Sequence, residues 1–308
     1  MEMNTVFVVV VTYNGKQWYK HCFESLRSSI IPIHIIAVDN ASSDNTVNYI
    51  NSNFPEVHVI KSAINLGFGQ ANNLAIKYAL NNKADYIFLL NQDAWIEPNV
   101  IAGLIDIHKS NLQYGILSPM HLNAQKNQIE RGLAEFIANY NITPLDLIND
   151  MYFNRIQDLY ETKYVNAAAW LLPRIILETI GGFDPIFFHY GEDDNYMHRV
   201  LYHGFKIGIC PKYNIVHDTE NRVKASKESK YSFFKFLLVD CTNINKESGV
   251  EQLILYHFRK SIINILKFNI QYFRDNLSLM IKFILYRKAI YNSRRTNFRI
   301  GAHWIKHD

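Results

Sequence analysis

The chain has few cysteines, and their spacing excludes two common kinds of cysteine-based site. Cys22, Cys210 and Cys241 are widely separated within the 308 residues, so no pair has the short spacing of a zinc site. An odd number of scattered cysteines also argues against a disulfide framework. We therefore expect a protein of a reducing compartment.

Long apolar runs are also absent from the sequence. No uninterrupted run reaches the roughly 18 residues that a membrane-spanning helix needs. The N-terminus passes directly into the strand-like run VFVVVVTYN, so we expect neither a spanning helix nor a signal peptide. The 48% hydrophobic and 19% charged residues are typical of a globular protein, here one large α/β domain with a smaller appendage.

Charge is distributed unevenly along the chain. The net charge is +4, but residues 251–308 contain 11 Lys and Arg against three acidic residues, a net charge of +8. The preceding 250 residues therefore carry −4. An acidic body and a basic tail are expected to have different partners.

The first half of the chain alternates strand and helix patterns. Strand-like runs at 6–11, 34–38, 57–61 and 86–90 are separated by helical patterns at 16–28, about 46–53 and about 70–80. This alternation predicts a mostly parallel sheet with helices on both faces. Polar clusters at 12–14, 39–43 and 91–93 follow three of the strands. Because ligands bind at the carboxyl ends of such strands, we expect these clusters to meet at one edge of the sheet.

The second half is less regular. Residues 121–162 have no clear period and fit short helices or a loop. Order returns at 165–172, with helices predicted near 174–179 and 193–203 and closing strands at 206–209 and 215–217. After about residue 226 the pattern predicts helices rich in Phe, Tyr, Lys and Arg.

Each polar motif of the first half has a structural and a functional interpretation. Asp39, in VDNASSDNT, suits hydrogen bonds from a base or ribose, and equally suits a turn. The glycines of NLGFGQANN (65–73) allow close approach to an anion, but they lack the third glycine of the dinucleotide fingerprint, and helix capping is the alternative. Asp93 suits Mg²⁺ or Mn²⁺ facing a diphosphate, or a turn at the end of a strand.

Three acids, Glu192, Asp193 and Asp194, stand in a row at a predicted helix start. Acids at this position interact favourably with the helix dipole, which needs no function. Adjacent carboxylates also repel one another, and a raised pKa on one of them would suit a general base. His217, in NIVHD, taken alone is more often a structural residue than a ligand.

The motifs occur in a fixed order: VVVVTYN, VDNASSDNT, NLGFGQANN, LLNQDAW, GGFDPIFFHYGEDDNYMHR and NIVHD. This order resembles the family 2 glycosyltransferases, most closely their rhamnosyltransferase-like branch, over about residues 5–218. The resemblance implies an α/β GT-A fold, a mostly parallel twisted sheet flanked by helices, over residues 1–225. A helical basic extension is expected over 226–308. The resemblance also implies an inverting sugar transfer that depends on Mn²⁺ or Mg²⁺.

The resemblance assigns roles by position. It implies a nucleotide site formed by Thr12, Tyr13, Asn14, Asp39, Asn65, Gly67, Asn72, Asn91 and Gln92. It implies metal binding by Asp93 and His217, with Asn91 standing where the family has another acid. It implies Asp193 as the catalytic base, with support for the acceptor and the reaction from Glu192, Asp194, Arg199 and Trp170. Asn195 stands where the family often has a further Asp. This difference bears on which donor or acceptor is preferred and not on the type of reaction.

The resemblance also implies partners. The donor is expected to be a UDP- or dTDP-linked sugar, with rhamnose the first choice, and the acceptor a saccharide or lipid-linked saccharide of surface polysaccharide or glycolipid assembly. A cytoplasmic location at the inner face of the cell membrane follows, with the basic, aromatic tail in peripheral contact. The alternative for the tail is a helical appendage that covers the sheet or forms an oligomer. No nucleic acid partner is expected.

Two other functions fit parts of the pattern. A non-catalytic nucleotide-binding module is one, although Asp93, Asp193 and His217 together speak against it. A sugar nucleotidyltransferase is the other, because it shares a similar sheet and metal site. Such an enzyme typically has a glycine-rich loop with a basic residue after the first strand, where this chain has residues 12–15, TYNG.

Overall fold

The computed structural model describes residues 4–138, 145–222 and 233–305. Its first half confirms the predicted alternation, with β1 (Val6–Thr12), α1 (Lys16–Arg27), β2 (His34–Asp39), α2 (Thr46–Asn53), β3 (His58–Lys61), α3 (Gly67–Asn81) and β4 (Tyr86–Asn91). Helix α3 begins three residues before the predicted Gln70, so both glycines of the NLGFGQANN motif lie in its first turn.

The second part contains β5 (Ala94–Ile96), α4 (Val100–Ser110), β6 (Tyr114–Leu122), α5 (Arg131–Ile137), α6 (Leu145–Tyr152), β7 (Tyr160–Thr162), β8 (Ala169–Pro173), α7 (Arg174–Ile180), α8 (Glu192–Tyr202) and β9 (Lys206–His217). The irregular region thus holds the short helices α5 and α6, together with the unpredicted strand β7. Instead of two closing strands there is one, β9. Its pairing with β6 shifts register after Cys210 and resumes at Asn214, so the intervening bulge hides its continuity in the sequence.

The nine strands form one mixed sheet with the order β3-β2-β1-β4-β8-β6-β9-β5, and β7 pairs with β9. Strands β1 to β4 are parallel to one another, as predicted, and β6 is parallel to β9. Strand β8 runs antiparallel to both β4 and β6, and β5 and β7 run antiparallel to β9. The sheet is therefore less parallel than expected, because the strand and helix alternation that predicts parallel pairing covers only residues 6–91.

Apolar side chains fill both faces of the sheet. Successive residues of β1 point to opposite faces, so Val9 packs into a core with α3, α7 and α8, whereas Val8 and Val10 pack into a second core with α1 and α4. This three-layer arrangement leaves the carboxyl ends of the strands as the place where polar side chains gather.

The C-terminal region is helical, as predicted, with α9 (Phe233–Thr242), α10 (Val250–Leu266) and α11 (Ile270–Asn297). The three helices enclose an apolar cluster that also contains Phe187 of the body. Ser293 and Asn297 of α11 donate hydrogen bonds to Asp184 Oδ2 at 2.6 and 2.7 Å. The region is therefore fixed to the loop that precedes α8. The predicted domain boundary at 225/226 lies outside the described residues.

Across residues 4–138, 145–222 and 233–305, none of the helices has both the length and the apolar character that a membrane crossing requires.

Candidate active site

The polar clusters that follow β1, β2 and β4 lie side by side. Thr12 pairs with Asp39 in the parallel register, and Val11 pairs with Asn91. Adjacent strands are about 4.8 Å apart, so these strand ends are direct neighbours. Together with the end of β9 and the start of α8 they form what we call the active-site rim. The predicted meeting of the clusters at one edge of the sheet is confirmed.

The loop after β1 is fixed by side-chain amides. Gln92 Oε1 accepts a hydrogen bond from the Tyr13 N–H at 2.8 Å, and Gln92 Nε2 donates to the Tyr13 carbonyl at 3.2 Å. Asn14 Oδ1 accepts from the Ser43 N–H at 2.9 Å. These bonds join three strand ends and leave the ring of Tyr13 46% exposed, where it can contact a ligand.

Asp39 has an unused acceptor. Its side chain is 5% exposed, Oδ2 accepts a long hydrogen bond from the Ser42 N–H at 3.4 Å, and Oδ1 has no hydrogen-bond partner among the described residues. A buried acceptor without a donor is costly, and a base or ribose hydroxyl would satisfy it. Thr12 is also buried and donates to the Val38 carbonyl at 3.3 Å, so it lies beneath the rim.

The NLGFGQANN motif shapes the backbone between β3 and α3. Asn65 Oδ1 accepts from the Gly67 N–H at 2.9 Å. Gly67 has a φ of +77°, and a Cβ there would lie 1.7 Å from the Phe188 carbonyl oxygen, so only glycine fits. Asn72 is buried and donates to the Phe68 carbonyl at 3.0 Å. The motif therefore holds the start of α3 against the segment that leads into α8.

Asp93 and His217, the predicted metal ligands, lie together. Asp93 Oδ1 is 3.6 Å from His217 Nε2, and both side chains are 4% exposed. The guanidinium of Arg222 donates to both oxygens of Asp93, with Nη2 3.1 Å from Oδ1, and Nη2 lies 2.8 Å from His217 Nε2. Burial alone would raise the pKa of Asp93, but His217 and Arg222 outweigh it and hold that pKa well below its usual range.

The guanidinium of Arg222 thus lies against both side chains. A divalent ion held by the same pair would need an ionised Asp93 and a neutral His217. Asn91 completes the group, with Nδ2 3.3 Å from His217 Nε2.

The acidic motif opens α8, close to its predicted start. Gly191 precedes the helix with a φ of +97°, and Glu192, Asp193 and Asp194 form the first turn. Burial and the charge of Asp193 raise the pKa values of Glu192 and Asp194 to about 8. Burial also raises the pKa of Asp193. The three carboxyl groups are therefore not all ionised at neutral pH, and a carboxylate that is ionised in this cluster is a stronger base than a solvent-exposed one.

Asp193 has a fixed orientation within the cluster. Its Oδ1 accepts from the Asp194 N–H at 3.0 Å, and the Tyr164 hydroxyl donates to its Oδ2 at 3.4 Å. Tyr164 is itself held by stacking on Phe136 of α5, with ring centroids 3.7 Å apart. Asp193 and Asp194 are partly exposed, whereas Glu192 is buried.

Two predicted support residues lie in the core below the rim. Arg199 is 1% exposed and donates to the carbonyls of Ile180 and Gly182 at 2.8 and 2.6 Å. Trp170 is fully buried and stacks on Phe183, with ring centroids 6.2 Å apart. The structure does not bring either side chain to the acidic cluster. Both fix the turn and the strand that position α8.

Two residues of the site were not predicted. Arg222 contacts both predicted metal ligands, and Tyr164 contacts the predicted base. Tyr164 lies between the irregular segment 121–162 and the predicted order at 165–172, so no sequence pattern pointed to it. Arg222 follows His217 by five residues, and this proximity was the available signal.

Comparisons with known proteins identify the family and the fold. The sequence model of glycosyl transferase family 2 matches residues 7–178, more than half of the chain. The low-salt glycan biosynthesis hexosyltransferase Agl10 of Haloferax volcanii is 23% identical over 218 residues, which cover 70% of this chain and 68% of that protein. The dTDP-rhamnosyl transferase RfbF of Shigella flexneri is 22% identical over 219 residues, 70% of this chain and 69% of RfbF.

A third relative is the N-acetylglucosaminyl-diphospho-decaprenol L-rhamnosyltransferase of Mycobacterium tuberculosis, 23% identical over 256 residues, 73% of this chain and 82% of that protein. Among solved structures, residues 1–349 of S. aureus TarS in complex with UDP superpose with a TM-score of 0.54 and 16% identity. The superposition covers 96% of this chain and 89% of that chain. The predicted GT-A fold is thereby confirmed.

Proposed function

This chain belongs to glycosyl transferase family 2, and we propose that it transfers a sugar from a nucleoside diphosphate sugar to an acceptor hydroxyl with inversion at the anomeric carbon. The observation that carries the proposal is the presence, on one rim, of a cation-binding pair, Asp93 and His217, and a proton-accepting cluster led by Asp193. Arg222 links the two groups. It contacts Asp93. It is also near His189, which precedes the cluster: burial, then the charge of Lys235, then that of Arg222 lower the pKa of His189 to about 4.

The acidic cluster suits the proton transfer that the reaction needs. An acceptor hydroxyl is a poor nucleophile, so a carboxylate must take its proton as the oxygen attacks the anomeric carbon. Asp193 has an orientation set by Tyr164 and is partly exposed, so a bound acceptor can reach it. One base and one direct displacement invert the anomeric configuration.

The pair of Asp93 and His217 suits a divalent ion, Mn²⁺ or Mg²⁺, with Asn91 beside it. When bound, such an ion would stabilise the charge that develops on the departing nucleoside diphosphate. Arg222 donates to both oxygens of Asp93, so it would compete with the ion for this carboxylate.

The donor and acceptor follow from the relatives. RfbF is named for dTDP-rhamnose, and the mycobacterial relative for rhamnosyl transfer to a lipid-linked diphospho-sugar. We propose a UDP- or dTDP-linked donor, rhamnose being the first choice. The acceptor is then a saccharide or lipid-linked saccharide of surface glycan assembly. The free Oδ1 of Asp39 would accept a hydrogen bond from the base or ribose.

The hairpin of α10 and α11 suits contact with the inner face of the cell membrane. At its tip, which we define as residues 262–281, apolar side chains are exposed, including Phe268 at 92% and Leu266 at 73%. The region from 251 to 308 carries a net charge of +8. Basic residues near an anionic membrane contribute about 1 kcal/mol each, and the apolar tip adds burial in the interface. A lipid-linked acceptor would be reached from this surface.

The direct test of the donor is a binding panel. Thermal unfolding of the full chain is followed with UDP- and dTDP-linked sugars, each with and without Mn²⁺. We expect one donor to raise the midpoint, more so with Mn²⁺, and Asp39→Asn to reduce that shift. No shift with any nucleotide sugar, while nucleoside triphosphates stabilise the protein, would instead favour a nucleotidyltransferase.

A further inference from the structure

Two residues outside the predicted site, His121 and Glu130, converge on His217. His121 of β6 pairs with Ile215 of β9, and His217 lies two residues further along the same strand. Because side chains two residues apart point to the same face, His121 and His217 are diagonal neighbours. The chain returns after β6 so that the Glu130 N–H donates to the His121 carbonyl at 2.8 Å, which brings the Glu130 carboxylate alongside.

The three side chains present their donor atoms to one point. One ligand atom from each lies within 4.8 Å of the others, and the side chains are 0%, 4% and 4% exposed for His121, Glu130 and His217. Nδ1 of His217 has no hydrogen-bond partner among the described residues, and the side chain of Asn166 interacts with His121. Two buried imidazoles that converge on a buried carboxylate form a set of side chains that suits a metal ion.

Neighbouring groups hold the donors in place. Glu130 Oε2 accepts from the Leu133 N–H at 3.0 Å, and the Thr219 hydroxyl donates to Oε1 at 3.1 Å. His121 Nε2 lies 3.1 Å from the Ser118 hydroxyl oxygen. Capping of α5 accounts for the position of Glu130, but not for the two histidines that converge on it. Outer hydrogen bonds of this kind orient metal ligands in proteins.

We propose that His121, Glu130 and His217 form a divalent-metal site that fills without any nucleotide. Two imidazoles and one carboxylate suit Mn²⁺, Co²⁺ or Zn²⁺, whereas Mg²⁺ and Ca²⁺ prefer sites built from oxygen alone. The set shares His217 with the predicted pair, and its other two donors come from β6 and from Glu130, the residue that caps α5. Binding here needs no sugar donor, so it can be measured separately from sugar transfer.

The test is direct titration of the full chain, freed of metal by chelation, with MnCl₂ alone. Calorimetry and the loss of the free Mn²⁺ electron paramagnetic resonance signal report the affinity. We expect one Mn²⁺ per chain, bound at least about tenfold more tightly than Mg²⁺. His121→Gln and Glu130→Gln should each weaken binding about tenfold or more. Glu130→Gln keeps an oxygen that can cap α5.

His108→Gln is the matched control. His108 is another buried histidine, on α4, where Nδ1 lies 2.9 Å from the Tyr86 hydroxyl, and its substitution should leave Mn²⁺ affinity unchanged. If His121→Gln does not fold, pulsed electron paramagnetic resonance of the parent with bound Mn²⁺ still tests the site. We expect its spectrum to show two coordinating imidazole nitrogens.

Three results would overturn the site. They are no Mn²⁺ binding without nucleotide, Mn²⁺ affinity unchanged in both variants, or a spectrum with a single coordinating nitrogen. Any of these would leave the proposed transfer reaction intact if the parent still binds a nucleotide sugar with Mn²⁺ enhancement that Asp93→Ala abolishes.

Discussion

The active-site rim and the hairpin of α10 and α11 both depart from the usual burial of side chains, in opposite ways: the rim buries charged and polar groups, and the hairpin exposes apolar ones. At the rim, Asp93, Glu192 and His217 are 3–4% exposed, although charged and polar groups normally remain in water. At the hairpin tip, Phe268 and Leu266 are 92% and 73% exposed, although large apolar groups are normally buried.

The two reversals point to different partners. Buried carboxylates and imidazoles cost free energy unless they are paired, which fits the cation and nucleotide sugar proposed for the rim. Exposed apolar side chains on a basic region fit the proposed contact with an anionic membrane surface. The two regions are connected in the fold, because α11 bonds to Asp184, eight residues before the acidic motif.

The largest expected effect comes from removing the carboxylate of the cation-binding pair. Asp93→Ala should reduce transfer by about a thousandfold or more, because a bound metal contributes several kcal/mol to stabilising the leaving group. The nucleoside diphosphate should then bind equally well with and without Mn²⁺, as measured by calorimetry. Asp106→Ala, an exposed acid on α4, is the control. Equal Mn²⁺ enhancement in Asp93→Ala and the parent would contradict the assignment.

A smaller loss is expected from removing the base. Asp193→Asn keeps the shape of the side chain and should reduce turnover by about a hundredfold or more. Donor affinity should stay near that of the parent, because the base faces the acceptor. Turnover is measured at saturating donor and acceptor, with Glu192→Gln and Asp194→Asn in parallel. Parent-like turnover in Asp193→Asn would move the role of base to one of its two neighbours.

The hairpin should respond to changes that leave the rim untouched. Replacing Leu266 and Phe268 with Ser removes two exposed apolar side chains and should lower binding to anionic phospholipid vesicles by about tenfold or more. Added salt should weaken binding of the parent by screening. Leu112→Ser, a 65% exposed residue between α4 and β6, is the control and should bind like the parent. If vesicle binding is insensitive to salt and equal in the Leu266 and Phe268 variant and in Leu112→Ser, the hairpin is better interpreted as an oligomer interface.

The last expected effect is on stability rather than on activity or binding. Burial and Asp193 raise the pKa of Glu192 to about 8 in the folded state, whereas an unfolded glutamate titrates near pH 4.3. The folded protein therefore holds this proton more tightly, and ionisation destabilises it progressively as pH rises between these two values. Glu192→Gln lacks the group, so its advantage in free energy of unfolding should grow over this range and level off above pH 8. An advantage independent of pH would contradict the raised pKa.

The sequence predicted the first half of the fold because its elements are local and periodic. The runs of β1, β2 and β4 and the polar residues directly after them fix which side chains reach the rim. Strand β9 was predicted in two pieces because its bulge interrupts the pattern, although pairing with β6 continues past it. The antiparallel β8 has no periodic signal that distinguishes its direction.

Whether a predicted site residue reaches the site depends on long-range contacts, which no local sequence pattern contains. Asp93 and His217 are 124 positions apart in the chain and meet only because β5 pairs with β9, Ala94 opposite His217. His121 reaches His217 because β6 pairs with β9, and Arg199 of α8 bonds to the carbonyls of Ile180 and Gly182 in the core. Such contacts depend on the whole sheet. The types of site residue could therefore be predicted from the sequence, whereas their contacts could not.

The central claim is best tested by identifying the products that the purified chain makes from dTDP-rhamnose or a UDP-sugar, with Mn²⁺ and a panel of saccharide and lipid-linked acceptors. Nuclear magnetic resonance follows the anomeric signal and the phosphorus signals together. We predict release of the nucleoside diphosphate in step with a new glycoside of inverted anomeric configuration. Release of pyrophosphate, retention of configuration, or nucleotide binding with no product from any donor would contradict the account.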